Sequence, residues 1–208
     1  MDERLRAIAE AAHGFMPPEE GLALHEAALS GAEIGPLVEV GSYCGKSTIY
    51  LGAAARQKHT VVFSIDHHRG SEEHQVGEEY HDPVLLDDEG RVDTLPEFRR
   101  TIARAGLEDS VVGVVAASAV VARSWATPLG LVFIDGGHSA EAAESDYVGW
   151  ARWVLPGGLL AIHDVFEDPS DGGRPPFEIF ERALASGAFE QRGANGSLRV
   201  LKRVGDGL

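Results

Sequence analysis

The chain has 208 residues, 44% of them hydrophobic, with 18 basic against 33 acidic side chains and a formal net charge of −15. That length supports one substantial core and a single domain over 1–208, and the acidic excess argues against a surface that tracks nucleic-acid phosphates. The lone cysteine, Cys44, excludes an internal disulfide, no apolar run is long enough to span a bilayer, and the opening Met-Asp-Glu-Arg-Leu-Arg is charged rather than signal-like, so the expectation is a cytoplasmic protein with no nucleic-acid or membrane partner.

Two helical stretches come first, near 2–14 and 18–31, and make an N-terminal helical segment over 1–33. In the second, Leu22, Ala28 and Leu29 recur at helical spacing, and Glu19 and Glu20 sit in the first turn, where the helix dipole favours acids. Strand runs follow at Leu37 to Val40, Val61 to Ile65, Val111 to Val115, Leu131 to Ile134 and Leu159 to His163. Helical runs fall between them near 46–57, 94–105, 118–126 and 139–154. This alternation predicts an α/β fold, a doubly wound and mostly parallel sheet covered on both faces. After a helix near 177–186, Phe189 to Arg192 and Ser197 to Lys202 flank the strong hairpin dipeptide Asn195-Gly196. The sheet is therefore expected to reach seven strands, ending in an antiparallel pair.

One long connection, 67–93, carries nine acidic and two basic residues, a net charge of −7. Connections of this length are lids over a site or solvated loops. Tyr80, Val84, Leu85 and Leu86 give it something to pack with, which favours a lid.

The most telling stretch is Leu37 to Thr48, where a strand ends in a glycine turn and opens into a helix. Such a turn lets backbone approach a ligand, with the free N–H groups of the helix facing it. A nucleoside triphosphate, a nicotinamide dinucleotide and S-adenosylmethionine (SAM) all fit that description. Gly45-Lys46-Ser47-Thr48 with Leu131 to Asp135 suggests a phosphate loop, yet the first glycine it requires falls on Val40. A dinucleotide loop aligned on Gly41 meets Tyr43 and Lys46 where glycines are needed. SAM asks for carboxylates instead. Glu39 stands near the place of a tail ammonium, and Asp66, at the end of the second strand and 21 residues beyond Gly45, would accept from both ribose hydroxyls.

The same parallel order brings Asp135, His138, His163 and Asp164 to neighbouring strand ends, where open α/β sheets bind ligands. Carboxylates with an imidazole suit a divalent cation, Mg²⁺ first, with Mn²⁺ or Zn²⁺ favoured by His163. Metal coordination lowers the pKa of a hydroxyl and orients it, and His138 could then take the proton. Trp150 and Trp153 read as core, while Asp168, Asp171 and Arg174 to Pro176 mark a candidate acceptor loop.

Glu39-Val40-Gly41-Ser42-Tyr43-Cys44-Gly45 resembles motif I of the class I SAM-dependent methyltransferases, with Tyr43 where the common form has glycine. Asp66, Ala117-Ser118 and Leu155-Pro156-Gly157-Gly158 match further motifs in the right order, and the likeness runs over roughly residues 20–203. The form E-V-G-S-x-x-G-x-S is similar to the macrocin-type sugar O-methyltransferases. The resemblance implies a Rossmann-like fold and a SAM site at Glu39, Gly41, Ser42, Tyr43, Gly45, Ser47, Asp66, His67, Ala117 and Ser118. It further implies metal ligands Asp135 and Asp164, joined here by His163, catalytic roles for Asp135 and His138, and methyl transfer to a hydroxyl of a carbohydrate. A catechol-like or phenolic acceptor is the alternative within the fold, and a nucleotide hydrolase using Lys46 and Asp135 the alternative outside it. The N-terminal helices and the lid are candidate homodimer surfaces.

Overall fold

Leu37, Val38, Glu39 and Val40 form β1 (Leu37–Val40), buried at every position. Unbroken burial marks a strand covered on both faces. A computed structural model of the chain describes residues 1–208 except Val76, Glu79, Tyr80, His138, Pro169, Gly207, Leu208 and the side chain of Glu73. In it, β1 lies between β2 (Val62–Asp66) and β4 (Leu129–Ile134), with β3 (Val111–Val115) and β5 (Val154–Ile162) outside these, all parallel. β7 (Leu198–Arg203) and β6 (Phe189–Asn195) add an antiparallel pair beside β5, so the order is β3-β2-β1-β4-β5-β7-β6. The doubly wound, mostly parallel seven-stranded sheet with its C-terminal hairpin is thus present.

Side chains alternate along the strands and separate two cores. Leu131, Phe133, Leu159 and Ala161 face α1 (Glu3–Ala11), α2 (Pro18–Ala32), α3 (Lys46–Gln57) and α4 (Leu95–Ala105). Val132, Ile134, Leu160 and Ile162 face α5 (Ser118–Ala122), α6 (Ala140–Trp150) and α7 (Pro175–Ala185). A Cβ on Gly130 would overlap the carbonyl oxygen of Gly31, so α2 seats directly on β4. None of the described helices is long and apolar enough to cross a membrane.

Several boundaries differ from the sequence reading; α5 stops at Ala122 and β6 runs on to Asn195. β5 begins at Val154 rather than Leu159, because Pro156-Gly157-Gly158 is not a turn but part of an irregularity inside the strand: Leu129 pairs with Val154 and Leu131 with Leu159. Gly157, at φ 81°, absorbs the extra residues. The hairpin turn is centred on Gly196-Ser197, one residue later than Asn195-Gly196, since Asn195 still pairs with Leu198. Trp153 closes a short 3₁₀ turn after α6 instead of belonging to the helix.

The 67–93 connection has structure of its own. Short 3₁₀ turns cover Glu72–His74 and Pro83–Leu85, and Leu86 bridges Val92. Leu85 is buried, Val84 is exposed, and Asp87 accepts from Arg69 and Arg91. Tyr80, expected to help pack this segment, lies outside the described residues.

Candidate active site

At the carboxyl end of β1 the chain turns through Gly41, at φ 85°, and Gly45, at φ 89°, into α3. A Cβ on Gly41 would overlap the carbonyl oxygen of Asp135, so glycine alone lets this turn press against the loop after β4. Above the two lies a cavity of about 940 Å³, reaching Asp66, Ser118, Asp146, His163 and Asp164. It opens where β1 and β4 leave in different directions, the switch point at which such sheets bind ligands.

Glu39 lies beneath the turn, not in the cleft. It is fully buried; Oε1 accepts from the Ser47 hydroxyl at 2.6 Å, and Oε2 from the Thr48 and Ser64 hydroxyls at 2.6 Å each. Burial pushes its pKa up to about 7 against the pull of these donors. The expected contact with a tail ammonium is therefore replaced by a scaffold role, and Ser47 is spent on the same network while still reaching the cavity wall.

Asp66 is also partly engaged by its own chain. Its Oδ2 accepts from the backbone N–H of Ser42 at 2.9 Å and Tyr43 at 2.8 Å, and its Oδ1 from that of His68 at 2.7 Å. A carboxylate offers about four lone-pair sites, so room remains for one ligand hydroxyl and not the two expected of a ribose diol. This arrangement also removes the phosphate-loop alternative on geometric grounds. The N–H groups that would cradle a phosphate are turned to a carboxylate, and Lys46 Nζ donates to the Gly14 carbonyl at 3.3 Å.

Ser42 and His67 reach the cavity, and the Ser42 hydroxyl is buried with no hydrogen-bond partner among the described residues. A buried hydroxyl left this way suits a ligand group. Tyr43, at φ 45°, holds its ring against His13, Phe15 and His74, with ring centres 5.6, 5.7 and 4.9 Å away. Ala117 caps the start of α5 while its neighbours Ala116 and Ser118 reach the cavity, and Gly45 serves the turn, against Phe98, instead of the cavity.

At the ends of β4 and β5, His163 Nδ1 stands 3.1 Å from Asp135 Oδ1 and 3.3 Å from Asp164 Oδ2. Asp164 is held at φ 55°, a strained backbone that aims its carboxylate back at the pair. One nitrogen and two carboxylate oxygens, all within 4.8 Å of one another, match the donor chemistry of a divalent cation. The ring's other nitrogen, Nε2, meets Glu20 Oε2 at 2.6 Å. Burial disfavours the charged imidazolium, but Asp135, Asp164 and Glu20 outweigh it and raise the His163 pKa far above the ordinary range. Burial likewise opposes the Glu20 carboxylate, and His163 and Ser197 reverse that and lower its pKa.

Two contributors were not anticipated. Glu20 is a first-turn acid by sequence, yet it shares the buried stripe of α2 with Leu24, Ala27, Ala28 and Gly31. Asp146 shares the buried stripe of α6 with Ala143, Tyr147 and Trp150 and faces the cavity. Burial pushes its pKa up to about 6, opposed by a hydrogen bond from Ser118. In both helices a carboxylate interrupting an apolar stripe was the available signal. His138, the expected base, lies outside the described residues. Asp171 reaches the cavity wall, Asp168 turns to Ser170, and Pro175-Pro176 opens α7.

A seven-stranded α/β sheet with a ligand cavity at its switch point and acids at the ends of β1's neighbours is the architecture of a nucleotide-cofactor enzyme. A family model described as a methyltransferase domain matches residues 38–165, more than half of the chain, and the chain belongs to that family. Among solved structures, the O-methyltransferase NovP is 18% identical with a TM-score of 0.71, over 93% of this chain and 83% of that one. The O-methyltransferase TomG from Streptomyces achromogenes, involved in tomaymycin synthesis and solved in complex with SAM, is 15% identical with a TM-score of 0.64, over 99% and 91%. The O-methyltransferase from Bacillus cereus, in complex with SAH, is 17% identical with a TM-score of 0.62, over 99% and 92%. At these identities the likeness is one of fold.

Proposed function

We propose that the protein is a SAM-dependent O-methyltransferase acting on a hydroxyl of a small molecule, a carbohydrate by preference, with a divalent cation at Asp135, His163 and Asp164. The observation that carries this reading is the convergence of those three side chains in the same cavity as the Gly41 turn and Asp66. A volume of about 940 Å³ is at the upper end for small-molecule sites and leaves room for donor and acceptor together.

The chain's residues divide the work. Gly41 and Gly45 shape the turn, Asp66 presents its remaining lone pair to a ribose hydroxyl, and Ser42 offers an uncommitted hydroxyl. Asp135, Asp164 and His163 Nδ1 would hold the cation, which when bound lowers the pKa of an acceptor hydroxyl and orients it. Mg²⁺ is the expected ion, and the imidazole donor also admits Mn²⁺. His138, three residues after Asp135, is assigned the proton from its place in the D-G-x-H segment, a role typically worth about 10²- to 10⁴-fold in rate. The sugar preference rests on the macrocin-type resemblance. A phenolic acceptor is the second reading, favoured by the exposed Phe15 beside Tyr43 at the cavity wall.

Calorimetric titration with SAM, followed by methyl transfer to oligosaccharides and catechols with and without chelator, tests the reading. Saturable SAM binding and chelator-sensitive transfer to a hydroxyl are expected. Absence of SAM binding, or activity that survives both chelation and His138→Ala, overturns it.

A further inference from the structure

We propose that Glu20, on the N-terminal helix α2, is the positioning residue that sets the His163 ring, so that Nδ1 faces Asp135 and Asp164. This rests on the cation-site reading above. An imidazole on the last residue of a strand end has two freedoms, rotation about its side-chain torsions and choice of which nitrogen faces the ligand. Glu20 removes both by accepting from Nε2 at 2.6 Å, which leaves Nδ1 as the nitrogen directed at the two aspartates. A histidine ligand whose far nitrogen donates to a carboxylate is fixed in orientation and made more basic.

Glu20 is itself held on every side. Its Oε1 accepts from the backbone N–H of Ser197 at 2.9 Å, and its Oε2 from the Ser197 hydroxyl at 3.0 Å. Gly196 presents bare backbone to the carboxylate: a Cβ there would overlap Glu20 Oε1. Glu20, Ser197 and His163 are all buried, at 6, 7 and 7% exposure, so water does not compete for these bonds. The clamp joins α2, the β6–β7 turn and the end of β5, and two of its three members lie outside the 38–165 span of the family match. A carboxylate whose only task was to fill space would not need a glycine cut out beneath it and a serine turned toward it.

The test uses the full chain and Mn²⁺ as the probe, with affinity read from electron paramagnetic resonance of the free ion and SAM affinity read separately by calorimetry. Glu20→Gln, Glu20→Ala, Ser197→Ala, Gly196→Ala and His163→Ala are compared, with circular dichroism checking the fold. Gly196→Ala removes no charge; it displaces the Glu20 carboxylate and adds the strain of a side chain at φ 52°, which the circular-dichroism check of the fold accounts for. Expected are a 10- to 100-fold loss of Mn²⁺ affinity in Glu20→Gln and in Gly196→Ala, an effect of the size usual for partners behind a metal ligand, with SAM affinity unchanged. In the metal-free protein, nitrogen-15 correlation spectra should show the His163 Nε2–H shifted downfield and slow to exchange, and Glu20→Gln should release it. If His163→Ala abolishes Mn²⁺ binding while Glu20→Gln binds as wild type, Glu20 is not a positioning residue. If the wild-type chain binds no Mn²⁺ and the ring signal is the same with and without Glu20, the cation reading and this proposal fall together.

Discussion

The α-carbon of Gly41 sits so close to the carbonyl oxygen of Asp135 that no side chain can stand between them, while the Asp135 N–H donates to the Val40 carbonyl at 2.9 Å. The ligand turn and the first candidate metal ligand are thus one rigid unit. Gly41→Ala, with φ 85° and no space, should lose about 1–3 kcal/mol of stability and weaken SAM binding at least tenfold. Thermal melts and calorimetry check this, and a variant with wild-type SAM affinity would break the link drawn between turn and loop.

Glu39 sets a pH dependence. Its pKa rises from an ordinary 4.5 in the unfolded chain to about 7 in the fold, so the folded state binds the extra proton. Its favourable contribution is full below pH 4.5 and is lost as pH climbs through about 7, a swing on the order of 3 kcal/mol for so buried a group. Urea unfolding of wild type and Glu39→Gln at pH 5 and pH 8 isolates the effect. The stability of wild type relative to Glu39→Gln should fall between the two pH values; a constant difference would contradict the shift.

Asp66→Ala should leave the N–H groups of Ser42, Tyr43 and His68 unpaired, at a cost of about 1–3 kcal/mol, and loosen the turn. Asp66→Asn restores one acceptor oxygen, able to take the Ser42 and Tyr43 N–H groups, but sets an amide N–H against the His68 N–H, so it should recover part of the loss. Equal stability of the two variants would show that the carboxylate does not organise the turn.

In the metal-free protein, His163→Ala removes the imidazolium between Glu20, Asp135 and Asp164 and strands a buried carboxylate at Glu20. The expected loss is about 3–5 kcal/mol, and a double variant His163→Leu with Glu20→Leu should be more stable than His163→Ala alone. Denaturant midpoints at pH 7 decide.

Lys46 serves the N-terminal segment through Gly14, and among the described residues the Ser42 and Tyr43 N–H groups beside it are turned to Asp66. Fluorescent ATP should therefore show no saturable binding to wild type or to Lys46→Ala. Saturable binding abolished by the substitution would revive the hydrolase alternative.

Much of this was open to reading from the chain. β1 declared itself by its apolar run and glycine exit, and Asp135, His163 and Asp164 meet because parallel strands deliver their ends together. What stayed hidden depends on contacts that no local pattern encodes. Glu39 looked available because its three hydroxyl partners are spread over Ser47, Thr48 and Ser64, and Asp66 looked free because two of its three donors lie 23 and 24 residues back. The Pro156-Gly157-Gly158 segment imitates a turn, and only pairing with Leu129 and Leu131 reveals a strand continuing through it.

The clamp at Glu20 also constrains how the protein comes into being. Glu20 and Ser197 are 177 residues apart, so at roughly 5–20 residues per second a ribosome needs about 10–35 s to make the second after the first. Only in the last about 2–7 s of that interval, after Asp164 is made and before Ser197, does the growing chain hold Glu20, Asp135, His163 and Asp164 together, four costly polar groups without the serine that fixes Glu20. The polypeptide must carry this unfinished acidic pocket until its last hairpin is synthesised, and a lesion confined to that hairpin strikes a centre that its own residues never enter.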